Sequence, residues 1–226
     1  MTLSAMILAA GRGSRMRPLT DHTPKPLLKV GSKSLIEWHI TRLAQAGIQQ
    51  LVINHAWLGQ QIEDAFGDGS SLGVNINWSA EEQPLETAGG ILRALPLLGD
   101  APFVLVNGDI WSDFEFAGLQ LPAGKLAHLV LVDNPPFKQG GDFLLDAGLI
   151  ANPAPHEQAA ALTYSGIAVL SPRLFDGLSD GPQPLAPLLR TAAQRGQVSG
   201  EHYTGCWIDV GTPERLQQAD SLAREA

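Results

Sequence analysis

The chain has 226 residues, 44% hydrophobic and 17% charged, a globular composition that excludes collagen, long disorder and coiled coil and suits one large α/β domain over residues 1–226. Its formal net charge of −8 gives polyanionic nucleic acid or an anionic membrane surface no electrostatic attraction as partners. The single cysteine, Cys206, excludes an internal disulfide and a C-x-x-C metal or redox pair, and fits a reducing cytoplasm.

Ala5–Ala10 is the first apolar stretch, too short for a signal h-region or a membrane span and without a basic region before it. It reads instead as a buried strand ending at Gly11 and Gly13. Ser34 to Ala46 reads as a helix: Ser34 and Glu37 have capping-box spacing, Leu35, Ile36, Ile40 and Leu43 recur at helical intervals, and Gly47 terminates it. Leu51–Asn54 is then a strand, Gln60–Phe66 a short helix, and Val74–Trp78 a strand. Phe103–Val106 is an apolar run that stops at Asn107-Gly108-Asp109, which sets a carboxylate at a strand's C-terminal end, where open α/β sheets bind ligands. Further strands are expected at 126–132, 162–170 and 203–210, with a meander in 126–170 beside the parallel core. Asp176–Pro187 reads as a loop, and a last helix starts at Pro213, in the first helical position after Thr212. The fold class is therefore α/β: a mostly parallel central sheet flanked by helices, with a small antiparallel part.

One segment departs from the composition of the rest. Between Gly11 and Lys33 lie six basic residues and one acid, a local charge of +5, whereas the other 203 residues sum to −13. A basic, glycine-rich loop after a strand is suited to polyphosphate: glycine lets the backbone approach, amide N–H groups meet phosphate oxygens, and cations balance the charge. A Walker A loop fails here, because no Gly-Lys-Ser/Thr triplet follows Gly11 at the required spacing. A dinucleotide fingerprint fails too, because Met16 stands where its third glycine belongs.

The run Leu8 to Thr20, completed by Pro24-Lys25-Pro26-Leu27, resembles the signature of the sugar-phosphate nucleotidyltransferases. The resemblance continues through Asn54-His55, Gly67 to Ser70, Glu81 to Gly90, Asn107-Gly108-Asp109 and Trp207 to Pro213, and so covers essentially the whole chain. It implies a single Rossmann-like nucleotidyltransferase domain. It also implies attack by a sugar 1-phosphate oxygen on the α-phosphorus of a nucleoside triphosphate, releasing pyrophosphate without a covalent intermediate. Both reactants are anions, and two unit charges 4 Å apart repel by roughly 4 kcal/mol at an effective dielectric of 20. Several cations are needed to bring them together.

On family positions, Arg15 and Lys25 are the implied catalytic cations, and Ala10, Gly11, Arg12 and Gly13 the nucleotide loop. Gln83 and Thr87, in the segment Gln83 to Gly90, match the part of the family that lies beside base and ribose, although a loop glutamine can equally face water. Asn107, Asp142 after Gly140-Gly141, and Ser165-Gly166 after Tyr164 match sugar contacts; as residues alone they also suit turns and strand ends. Asp109 and Asp209 match the magnesium-binding aspartates, with adjacent parallel strands expected to bring their ends together. The implied cofactor is Mg2+, one or two ions, since magnesium prefers carboxylate and phosphate oxygens.

The family's Glu-Lys-Pro triplet is absent between Asp133 and Tyr164, where Lys138 is the only lysine; a second magnesium ion is expected in place of that ammonium. The short bacterial members most similar to the chain imply UTP and N-acetylmuramic acid 1-phosphate as substrates, in cell-wall recycling. The Pro-Leu-x-Thr-Ala-Gly-Gly segment is shared with guanylyltransferases for mannose 1-phosphate, so the base stays open among uracil, thymine and guanine, transfer to mannose 1-phosphate or another sugar 1-phosphate is the alternative reaction, and a nucleotide-sensing module without turnover is the non-enzyme alternative. No histidine is assigned a role, Glu81-Glu82 reads as solvated loop charge, and Cys206 as a small packed side chain. The chain ends soon after its last helix, which implies a compact enzyme able to act as a monomer.

Overall fold

The computed structural model describes residues 3–83 and 85–225. The first half contains strands β1 (Ser4–Ala9), β2 (Lys29–Val30), β3 (Lys33–Ser34), β4 (Gln50–His55), β5 (Asn75–Ala80), β6 (Phe103–Asn107) and β7 (Ile110–Ser112), with helices α1 (Leu35–Gln45), α2 (Gly59–Phe66) and α3 (Glu86–Leu98). The second half contains β8 (Ala127–Val132), β9 (Leu144–Asp146), β10 (Leu149–Ala151), β11 (Thr163–Leu170), β12 (Val198–His202) and β13 (Trp207–Asp209), with α4 (Leu185–Gln194) and α5 (Pro213–Glu225). Among the described residues no helix is long and apolar enough to cross a membrane.

Nine strands form one sheet in the order β5-β4-β1-β6-β11-β8-β12-β10-β9. The strands β5, β4, β1 and β6 are parallel neighbours, β11 runs antiparallel between β6 and β8, and β12 pairs parallel with β8. The β9–β10 hairpin closes the far edge, so the expected meander is split: β8 and β11 are neighbours, but β12 separates β8 from the hairpin.

Both faces of the sheet are covered, which is why its central strands are nearly continuous apolar runs. Ala5, Ile7 and Ala9 of β1 pack with Val104 and Val106 of β6 against Ile36, Ile40 and Leu43 of α1 and Ile62 of α2. Met6 and Leu105 point the other way, toward Ala88, Ile91 and Ala94 of α3 and Leu185 and Leu189 of α4. Helices before β5 therefore lie on one face and α3 on the other. The winding reverses beside β1, the crevice position at which open α/β sheets bind ligands.

A third apolar cluster lies off the sheet. Met16 from the basic loop, Leu28 and Val30, Trp111 from β7, Ile208 and Val210 around β13, and Ala219 and Ala223 of α5 pack together. The strands β7 and β13 form a separate antiparallel ribbon, with Asp209 opposite Ile110. The expected strand over 203–210 is therefore shortened to Trp207–Asp209, which joins the ribbon, and a further strand that was not expected, Val198–His202, precedes it in the main sheet, with a bend at Gly205 between them. Cys206 beside that bend is exposed rather than packed. Two helices escaped the sequence reading. Helix α3 has Gly89 and Gly90 in its first turns, residues that weaken helix signals, and α4 begins inside the Pro-rich stretch expected to be loop. Pro84 lies outside the described residues.

Two tests follow from this packing. Gly108 sits against β1, donating its N–H to the Leu8 carbonyl at 2.8 Å, and a Cβ there would lie 2.5 Å from that same oxygen. Gly108→Ala is expected to lower stability by about 1–3 kcal/mol in urea titrations, since the clash is with backbone. His39 of α1 is buried and donates from Nε2 to the Ile110 carbonyl at 2.9 Å. Burial, only partly offset by that bond, pushes its pKa down from 6.5 to about 4. Below pH 6.5 the unfolded chain binds a proton that the folded chain refuses until about pH 4, so stability is complete above 6.5 and falls across that window. The His39 share of the loss is about 2 kcal/mol at pH 5, and His39→Asn should flatten that part of the urea-midpoint profile.

Candidate active site

A cleft of about 420 Å³ opens beyond the C-terminal ends of β1, β4 and β6. Of the residues expected from the sequence, Ala10, Gly11, Gly13, Arg15, Lys25, Thr87, Asn107 and Asp109 line it, together with Asn54, Glu81 and Gly211. The basic loop folds over one side through local constraints. Gly13 adopts φ +64°, and Thr20 donates its hydroxyl to the Gly13 carbonyl at 2.8 Å. The Met16 side chain is fully buried and anchors the loop in the third apolar cluster. Gly11 has no neighbour within 4 Å of where a Cβ would stand, so its backbone faces open space.

The prolines around Lys25 have a geometric effect. Pro24 is extended and Pro26 sits in the single turn Lys25–Leu27, which turns the lysine inward. Lys25 is only 6% exposed, and its Nζ meets Asp109 Oδ2 at 2.8 Å. This pair joins the N-terminal loop to the turn after β6 across 84 positions of sequence.

Asp109 and Asp209 do come close, by a route different from the one expected. They are not at the ends of adjacent parallel strands. The β7–β13 ribbon brings them together, with Asp209 opposite Ile110 and the Val210 N–H bonded to the Asp109 carbonyl at 2.9 Å. Asp209 stands just outside the cleft lining, behind Gly211, and accepts a bond from Arg215 Nη1 at 3.0 Å. Among the described residues no group of three or more His, Cys, Asp or Glu side chains could hold a metal. A third carboxylate for a second ion is thus not part of this arrangement.

Besides Asp209, five expected residues are not in the cleft lining. Arg12 stacks on Trp57, 4.7 Å from the ring centre, and Gln83 is exposed. Asp142 accepts from Lys138 Nζ and from the Tyr164 N–H. Ser165 donates to the Val130 carbonyl and accepts from the Ile167 N–H, which stabilises a bulge in β11. Gly166, at φ +85°, leaves room for Asn107, whose side-chain atoms would lie 2.6–2.8 Å from a Cβ there.

Glu81 corrects the expectation of a solvated charge. It is 7% exposed, with Oε1 bonded to Asn54 Nδ2 at 2.7 Å and Oε2 to the Leu85 N–H at 3.2 Å. Asn54 is held in turn by the Ala9 N–H, which donates to its Oδ1 at 2.9 Å. Gly90 allows this, since a Cβ would meet Glu81 Oε1 at 2.6 Å. Asn54→Ala strands a buried donor and a buried carboxylate oxygen and is expected to lower stability by about 2–4 kcal/mol in urea titrations.

A family model described as nucleotidyl transferase matches residues 4–130. The chain is 53% identical to the N-acetylmuramate alpha-1-phosphate uridylyltransferase of Neisseria meningitidis serogroup B, over 98% of both chains. It is 35% identical to the protein of the same name from Caulobacter vibrioides, over 98% of this chain and 97% of that one. The catalytic subunit beta of mannose-1-phosphate guanylyltransferase from Drosophila melanogaster is 30% identical over 93% of this chain and 60% of that longer one. A solved Bacillus anthracis structure, described as a glucose-1-phosphate thymidylyltransferase, shares the fold with a TM-score of 0.88 over 100% of this chain and 96% of that one, at 22% identity. The chain belongs to the nucleotidyl transferase family.

Proposed function

We propose that the protein transfers the uridylyl group of UTP to N-acetylmuramic acid 1-phosphate, giving UDP-N-acetylmuramic acid and pyrophosphate. The observation that carries the chemistry is the convergence of Arg15, Lys25 and Asp109 on one cleft at the strand ends. The choice of base and sugar rests on the full-length likeness to the two uridylyltransferases. The presence of Arg15, Lys25, Asp109 and Asp209 together favours turnover over nucleotide sensing alone, and the weaker likeness to the guanylyltransferase leaves that reaction as the competing outcome. The product suits cell-wall recycling in the cytoplasm, where an exposed unpaired cysteine is tolerated.

In this reading, an oxygen of the acceptor phosphate attacks the α-phosphorus in line. A new P–O bond forms there as the bond to the β-phosphate oxygen breaks, and pyrophosphate takes the electron pair. No protein nucleophile is required. The backbone from Ala10 to Gly13 receives the triphosphate, while Arg15 and Lys25 balance the charge that grows on the departing pyrophosphate. Lys25 is already held by Asp109, so little reorganisation is needed when the ligand enters. Thr87 lies on the base and ribose side. Asn107 meets the acceptor, with Ser165 and Gly166 acting through the bulge that makes room for it.

Magnesium fits the donor set. Asp109 and Asp209 are hard oxygen ligands on neighbouring positions of the ribbon, and each carboxylate has one oxygen left after its bond to Lys25 or Arg215. Asp109 and Asp209 would hold the ion, and it would supply charge neutralisation and alignment of the phosphate oxygens.

Pyrophosphate release should be greatest with UTP, magnesium and N-acetylmuramic acid 1-phosphate; faster turnover of GTP with mannose 1-phosphate would overturn the assignment. Lys25→Met and Asp109→Ala are each expected to lower kcat by at least about 100-fold while far-UV circular dichroism is retained. Near-normal rates in either variant would reject the site.

A further inference from the structure

The carboxylate of Asp209 is held asymmetrically. Arg215, in the first turn of α5, donates from Nη1 to Asp209 Oδ2 at 3.0 Å. Its guanidinium carbon also lies 4.1 Å from the centre of the Phe137 ring, in the loop between β8 and β9. The Arg215 side chain is 13% exposed, whereas Phe137 is 57% exposed. An exposed aromatic ring thus covers a mostly buried guanidinium.

Gly211 is packed close to Asp209 and to both arginines. A Cβ on Gly211 would stand 2.3 Å from Arg215 Nη2 and 3.1 Å from both Arg15 Nη2 and Asp209 Oδ1. Gly211 itself lines the cleft. Asp209 Oδ1 and Arg15 Nη2 thus both approach Gly211 at the cleft wall, while the other Asp209 oxygen is occupied by Arg215 and Asp209 itself lines the adjoining pocket with Phe137 and Arg215. Locally, the Arg215 backbone N–H donates to Thr212 Oγ1 at 3.4 Å, a capping contact at the start of α5.

We propose that Arg215 is a positioning residue that fixes the rotation of the Asp209 carboxylate, so that Oδ1 is presented to the magnesium ion, and that Phe137 fixes Arg215 in turn. This rests on reading Asp109 and Asp209 as the magnesium ligands. A carboxylate on a free rotor must be ordered at each binding event, whereas one held through its second oxygen is already aligned. Arginine suits the task better than lysine, since its planar fork donates to the carboxylate and stacks on the aromatic ring at once.

The test uses the full-length enzyme with a non-reacting α,β-methylene analogue of UTP, and Mn2+ in place of magnesium so that binding is read by electron paramagnetic resonance. Arg215→Met is expected to raise the Mn2+ dissociation constant of the enzyme–analogue complex about 10- to 100-fold, with analogue affinity in EDTA unchanged. Arg215→Lys should recover little of this, and Phe137→Ala should give a smaller rise. Arg215→Lys keeps the charge and the helix, so it serves as the decisive variant if Arg215→Met does not fold. Unchanged or tighter Mn2+ binding in the Arg215 variants, with a loss in Asp209→Asn, would overturn the positioning role alone. Unchanged Mn2+ binding in Asp209→Asn would overturn the metal reading on which it stands.

Discussion

An ammonium group with almost no access to water needs a counter-charge, and the Lys25–Asp109 pair meets that need at the centre of the cleft. Its two halves come from unrelated parts of the chain. Lys25 belongs to the basic loop, while Asp109 belongs to the turn that follows the buried strand β6. Each limits where the other can go. The side-chain exposures of 7% for the lysine and 43% for the aspartate also give the pair a direction, with the cation seated and the carboxylate open to the cleft.

The remaining architecture keeps those two halves in register. Met16 and Leu28 bind the loop into the third apolar cluster, where they meet Trp111 and Ile208 of the ribbon and Ala219 of α5. The same small core therefore supports the cationic loop, both aspartates and the helix carrying Arg215. On the other wall, Asn54 bonds to β1 and to Glu81, which sets the entry to α3 beside Thr87. Of the six basic residues between Gly11 and Lys33, Arg15 and Lys25 line the cleft and there supply a local field for an anion.

The alternation of Ala5, Ile7 and Ala9 with Met6 and Leu8 is legible because a strand buried on both faces leaves few polar residues in the run. The capping signals of α1 and the proline at the start of α5 are equally local, so those helices stand where expected. Glu81 was not legible, because its burial depends on Asn54, 27 positions earlier, and on the missing side chain of Gly90. Ser165 and Gly166 have functional neighbours, yet hydrogen bonding inside a β-bulge explains them first. Arg12 shares the composition of the loop, but Trp57 from the segment after β4 draws it aside.

By itself the amino-acid sequence determined the α/β class, the strand-end position of Asp109, and the concentration of cations between Gly11 and Lys33, since periodicity, turn chemistry and charge act over a few residues. Tertiary structure alone decided that Asp209 reaches Asp109 through an antiparallel ribbon, that Lys25 is buried against Asp109, and that Arg215 stands behind Asp209. Those outcomes depend on contacts between residues up to a hundred positions apart. Such contacts exist only once the sheet and the third apolar cluster have brought the segments together, and no local pattern encodes them.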